Sequence, residues 1–304
     1  MLRLIRAAAL AAAFVPATLS AHAGEHADSE TIGWSLEPQI VLPLVAIMAL
    51  YAAGWLRLAQ RSRRGGRRLR RKGLVFVCGW LVLAGALLSP LHQGGEVSFT
   101  LHMIEHELIM LPAALLLVAA RPGPVLLWGL PRGTRRLLRP LIAAQLWRAL
   151  AGPITAMAVQ GVVMIVWHVP ALFDLALRHD GWHIVQHACF VGSALMFWWA
   201  MLASEDRPGG ALVAAACLFA TSMLGGGLGA LMTLGSSPWY DAYARLGATP
   251  FGLSPVEDQQ LAGLIMWVPG GLFHLAAALA FVARAVRLAP ERLDKGVSRG
   301  GQAA

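Results

Sequence analysis

Apolar runs about as long as a bilayer is thick recur along most of this chain, and nothing else in the sequence restricts its fold as strongly. A membrane-crossing helix needs roughly 20 predominantly apolar residues. Seven runs of that kind lie near 38–58, 73–91, 100–120, 152–174, 182–203, 210–232 and 259–284. Only 13% of the residues are charged and 57% are hydrophobic, whereas a soluble domain carries about 25% charged residues. Lipid cannot satisfy exposed backbone groups, so a chain of this composition spans as helices. The expected fold class is all-α, an integral membrane helical bundle of seven transmembrane helices.

The first 23 residues form a separate unit. MLRLIR gives a positive start, AAALAAAFVPATL a short apolar core, and Ala21-His22-Ala23 an A-x-A cleavage signal. We expect a signal peptide over 1–23, an exported tail over 24–37, a membrane domain over 38–287 and a disordered cytoplasmic tail over 288–304. Cys78, Cys189 and Cys217 all fall inside apolar runs with no C-x-x-C spacing, which fits small buried hydrophobes rather than a disulfide framework.

Charge sets the expected sidedness. RLAQRSRRGGRRLRRK (57–72) carries nine Lys and Arg between the first two runs. Arg121, Arg132, Arg135, Arg136, Arg139 and Arg148 follow the third, and the tail from Arg284 is basic as well. Arg178 and Arg245 stand on the opposite side. Basic loops face the cytoplasm, so the N-terminus is expected outside and the C-terminus inside. The net charge of +9 then reflects topology and anionic lipid head groups, not nucleic-acid binding. The basic 132–150 stretch has the character of a surface segment, interrupted by Pro140.

On this topology the histidines crowd towards the outer face. The run opening FTLHMIEHELIM brings His102, Glu105, His106 and Glu107 into a membrane segment, where ionisable groups normally face a partner or a cavity. His102 and His106 are four residues apart, hence on one helix face and roughly 6 Å from each other. HIVQH repeats the spacing with His183 and His187, and His168 lies near the outer end of the fourth run. Two HxxxH pairs and a single histidine at similar depth on three helices can converge on a metal ion. His92 and His179 are expected as interfacial or loop residues, and His274 as a hydrogen-bonded core residue. Glu105 is placed either as a group orienting a ligand histidine through its second ring nitrogen or at the aqueous edge. Glu107 points away from the pair and is expected to be solvated.

Imidazole suits copper, zinc, iron and nickel, and thioether selects copper(I). Met110 continues the first histidine stripe and Met164 lies one turn from His168, which favours copper; both are weaker metal candidates, because methionine also fills core gaps. Asp258 is a third such candidate, with helix capping as its alternative role. Cleavage after Ala23 would leave Gly24-Glu25-His26, whose amine, amides and imidazole form a donor set suited to copper(II). Gly225, Gly226, Gly227 and Gly229, with Pro170 and Pro269, suit close helix packing and kinks.

Four stretches, HMIEHELIMLPAALLL (102–117), WHVPALFDLAL (167–177), HIVQHACFVGSALMFWW (183–199) and DQQLAGLIMWVPGGLFHL (258–275), resemble the multi-spanning CtaG family of assembly factors for caa-type cytochrome c oxidase. The resemblance covers roughly 99–287. Glu107 adds a charge where that family is apolar, and Ser-Pro-Trp-Tyr (237–240) varies a Pro-Leu-Tyr pattern. The resemblance implies a bacterial inner-membrane protein that is not an enzyme, works with haem–copper oxidase subunits and periplasmic copper carriers, and handles copper. Two rival readings stay open: a haem-binding membrane protein, and a seven-span zinc hydrolase with Glu105 or Asp258 as general base.

Overall fold

The computed structural model describes residues 32–61, 66–142, 152–204, 207 and 209–300, with backbone only for 138–142 and 288–300. The expected signal peptide, the Gly24-Glu25-His26 site and residues 143–150 of the basic stretch lie outside the described residues. All regular structure among the described residues is helical. In chain order the helices are α1 (Pro38–Arg61), α2 (Gly66–Leu88), α3 (Pro90–Val97), α4 (Phe99–Ala119), α5 (Gly123–Gly129) and α6 (Arg132–Ile142). They continue as α7 (Pro153–Trp167), α8 (Pro170–Arg178), α9 (Asp180–Ser204), α10 (Gly210–Thr233), α11 (Asp241–Leu246), α12 (Pro255–Ile265) and α13 (Gly271–Gly300). The last helix runs into the 288–304 stretch expected as a tail.

Among the described residues, six helices are long and apolar enough to cross a membrane: α1, α2, α4, α9, α10 and the continuous Pro255–Arg287 rod. The fourth expected span is broken instead. Its two parts, α7 and α8, meet at 72° across His168 and Val169. Pro170 explains the break, because a proline disfavours helical backbone in the residue before it and starts a new helix well. Val169 is extended (φ −65°, ψ 125°) and caps α8.

Two further prolines widen helices without ending them. Pro112 lies in a π-helical turn of α4, Ile109–Ala113, and Pro269 in another, Met266–Gly270, which joins α12 to α13. A proline inside a helix removes one amide donor and crowds the preceding turn, and a π turn absorbs that strain locally. In α4 the Ala114 amide reaches back to the Ile109 carbonyl. The Met110 carbonyl instead accepts from the Trp198 indole of α9 at 2.9 Å.

The helix α4 is the hub. It packs against α2, α3, α9 and α12, and 56% of its apolar window is buried, against 17% for α1. Side chains such as Leu42, Leu81, Leu231 and Leu279 point outward, as expected where lipid replaces water. Small residues bring backbones together: a Cβ on Gly229 of α10 would lie 2.6 Å from the Gly263 carbonyl oxygen, and one on Gly263 would lie 2.5 Å from the Gly229 oxygen. That crossing seats α12 beside the site described next, in line with the packing role expected of Gly229. Gly229→Val or Gly263→Val forces the two backbones apart, and each should cost about 1–3 kcal/mol, read as a lower unfolding temperature of the detergent-purified protein.

Candidate metal centre

The site starts with two short-range helix signals. Ser89 caps α3, its hydroxyl accepting from the Leu91 amide at 3.3 Å, with Pro90 at the first helical position. Ser98 ends α3 and opens α4, accepting from the Leu101 amide at 3.4 Å. The chain therefore folds back at Ser98, and α3 lies along the first turns of α4. Gly94 and Gly95 allow the approach: a Cβ on Gly95 would sit 3.3 Å from His102 Cα.

A carboxylate from α12 holds this start in place. Asp258 accepts from the Phe99 amide at 2.6 Å, the Ser98 hydroxyl at 2.9 Å and the Thr100 amide at 3.2 Å. Thr100 donates its hydroxyl to the Asp258 carbonyl at 3.0 Å. Both carboxylate oxygens satisfy amides that a helix start leaves unpaired, and negative charge suits that end of the helix dipole. Asp258 thus caps α4 rather than joining the histidines. Its own helix is capped by Ser254 and Glu257 in a reciprocal capping box.

Four of the predicted histidines converge. The His102 and His106 ring centroids are 4.2 Å apart, those of His183 and His187 4.6 Å. Across the two helices His106 meets His187 at 5.2 Å and His102 meets His183 at 5.7 Å. The Nε2 atoms of His183 and His187 are 2.9 Å apart, so one ring donates to the other. Phe173 and Phe190 cover the group, at 5.1 Å from His102 and 4.6 Å from His106.

His92 completes the cluster, and sequence reasoning missed it. Its ring stacks on His183 at 5.4 Å and meets His187 edge-on at 5.6 Å. Glu105 accepts from or shares a proton with His92 Nδ1 at 2.7 Å, so the carboxylate orients His92 and not a member of the HxxxH pairs. Burial opposes charge on His92, but the bond to Glu105 and the charges of Glu105, Glu96 and Glu37 outweigh it and raise its pKa above the usual histidine value. One ligand atom each from His92, Glu105 and His187 lies within 4.8 Å of the others. The signal for His92 was Ser-Pro followed by Gly-Gly: a helix start and a close approach, in the segment just before the histidine-rich run.

The remaining candidates lie around this group. His168 directs Nδ1 to the Met164 carbonyl at 2.7 Å, keeps Nε2 buried and unpaired, and meets the cluster through Phe173 and Phe190, each 6.4 Å away. Met110 and Met164 line a separate small cavity. Glu107 is not solvated: its Oε2 is buried without a partner, lodged where Gly270 has no side chain. The apolar face of α12–α13 covers that side of α4, which a single-helix projection cannot show. His274 directs Nδ1 to the Gly270 carbonyl at 2.9 Å, as expected of a core histidine.

The chemistry of the cluster is legible in what it leaves unpaired. His102 Nε2, both ring nitrogens of His106, His187 Nδ1 and Glu105 Oε2 are buried with no hydrogen-bond partner. Buried polar atoms are almost always paired, and leaving one unmade costs about 1–3 kcal/mol. Several imidazole nitrogens held together at that cost are a donor set for a transition metal such as copper or zinc. Rings packed directly on each other and on two phenylalanines suit a single small ion.

The fold and site thus define a polytopic helical membrane protein with a buried polyhistidine centre at one end of its bundle. The sequence model of the cytochrome c oxidase caa3 assembly factor family (Caa3_CtaG) matches residues 49–288, and the chain belongs to that family. It is 28% identical over 248 residues to an uncharacterized protein of Mycobacterium bovis, covering 75% of this chain and 37% of the relative. A Mycobacterium leprae protein, also named uncharacterized, is 26% identical over 266 residues, covering 84% of this chain and 40% of the relative. The chain therefore spans less than half the length of these curated relatives. No solved structure matches it.

Asp258→Ala removes the acceptor for three donors at the start of α4. It should destabilise the metal-free protein by about 1–3 kcal/mol, measured by thermal unfolding in detergent, whereas Glu257→Ala, confined to the exposed capping box, should cost about 0.5–1 kcal/mol.

Proposed function

We propose that this protein binds copper in the His92, His102, His106, His183 and His187 cluster and helps to deliver it to a caa3-type oxidase during assembly. The observation that carries this is the convergence of unpaired, buried imidazole nitrogens from α3, α4 and α9. Family membership supports the oxidase as the client.

In this reading α7 and α8 together make a seventh, broken crossing, and the histidine end faces outward. The basic residues of the α1–α2 connection, of α6 and of the C-terminal stretch then meet the cytoplasmic leaflet. A copper centre buried within an oxidase needs histidine ligands. A carrier holding copper on its own histidines can pass it by stepwise ligand exchange, one imidazole leaving as another arrives, without a bare ion entering lipid. Glu105 holds the His92 ring in place, and Phe173 and Phe190 exclude water from the neighbouring rings.

Copper analysis of the purified full chain tests the reading. The His102→Ala/His106→Ala and His183→Ala/His187→Ala variants should each bind copper through nitrogen at least about tenfold more weakly than wild type, and cells carrying either should lose cytochrome c oxidase activity. Undiminished copper in both variants overturns the site, and normal oxidase activity overturns its role.

A further inference from the structure

One helical turn beyond the histidine pair on α4, a second cavity opens between α4, α7, α10 and the α12–α13 rod. Its volume of ≈ 20 Å³ is about what one water-sized sphere requires. Three methionines line it, Met110, Met164 and Met266, together with Glu107, Gln160 and His274. None of the cluster histidines does.

The donors come from separate helices and converge for identifiable reasons. Met110 and Met266 sit on the two π-helical turns, each followed closely by its proline, Pro112 or Pro269. A π turn shifts the side chains around it off the regular helix face, and such turns concentrate at functional sites. Glycines supply the room. A Cβ on Gly225 would lie 3.7 Å from Met164 Sδ and 3.8 Å from Met266 Cε, and a Cβ on Gly270 would lie 2.6 Å from Glu107 Oε2. Any larger residue at Gly270 would collide with that carboxylate.

The polar atoms here are as unsatisfied as those of the histidine cluster. Glu107 Oε2 and Gln160 Oε1 are buried without partners, and Gln160 is 7% exposed. Gln160 Nε2 approaches Met110 Sδ at 3.6 Å, so its oxygen is the end left over. His274 spends Nδ1 on the Gly270 carbonyl, which leaves Nε2 as its remaining ring nitrogen.

We infer that this cavity is a second metal site, selective for a soft monovalent cation, copper(I) in the protein's own function. Thioether sulfur is a soft, neutral donor that selects copper(I) over harder ions. One carboxylate beside three neutral thioethers balances a single positive charge, and in a low-dielectric interior an unbalanced second charge is heavily penalised. Zinc(II) and copper(II) are disfavoured on both grounds. The inference rests on the proposed copper role of the histidine cluster and extends it. A nitrogen-rich site at the end of the bundle is followed by a sulfur-rich site one turn deeper, joined along α4.

The test uses the full chain purified in detergent, loaded anaerobically with copper(I) and, in parallel, silver(I). X-ray absorption should show sulfur as well as nitrogen scatterers around the copper. Met110→Leu/Met164→Leu/Met266→Leu conserves volume, and it should remove the sulfur scattering and weaken silver(I) binding by roughly a hundredfold, while Glu107→Gln should weaken it by roughly tenfold. His102→Ala/His106→Ala should retain the sulfur-bound ion and lose nitrogen-bound copper. Copper bound by nitrogen alone, unchanged in the methionine and Glu107 variants, overturns this second site and leaves the histidine centre standing. Sulfur-bound copper with histidine variants indistinguishable from wild type supports the second site and overturns the first. No copper or silver in any form overturns both.

Discussion

The Asp258 carboxylate, gripping the first turn of α4 from the start of α12, fixes the geometry on which the rest of the molecule depends. It joins residues far apart in sequence, and it does so where α4 would otherwise open with unpaired amides. Because α4 is the hub of the bundle, its start sets the depth of His102 and His106 and of everything one turn below. Tyr243 strengthens the same corner by donating to the Gly95 carbonyl at 2.5 Å, which holds α3 and hence His92 against α4.

Around that anchor two groups of buried polar atoms are left without partners. The histidine cluster and the methionine-lined cavity both carry buried donors or acceptors that nothing in the protein pairs. Elsewhere irregular backbone is compensated. The Met110 carbonyl released by the π turn takes the Trp198 indole. The His168 carbonyl, at the break between α7 and α8, takes the Tyr240 hydroxyl at 3.2 Å. The fold thus pairs its displaced carbonyls while imidazole nitrogens stay bare, and the proposed copper role rests on that contrast, because imidazole suits a transition metal.

Much of the site was legible because a helix turns composition into geometry. The spacing of His102 and His106, and of His183 and His187, put each pair on one face before any tertiary information entered. The requirement that ionisable groups in lipid face a partner then implied that the pairs face each other. Single residues were harder. His92 lies on a short helix whose direction depends on a fold-back at Ser98. Glu107 was misjudged because exposure depends on which neighbouring helix covers that side of α4. Asp258 stood at a helix start, where a capping role was plain, but the helix it caps is another one.

The sequence by itself determined that this chain is helical and membrane-embedded, and it identified the two histidine pairs. Both follow from local periodicity and from the cost of exposing backbone or charge to lipid. Only the tertiary structure decided that α7 and α8 break at His168, that His92 and Glu105 enter the cluster while Asp258 caps α4, and that three methionines line one cavity with Glu107. Those outcomes depend on which helix faces pack together, and that is set by long-range contacts such as the Gly229–Gly263 crossing and the Asp258 cap, which no single helix encodes.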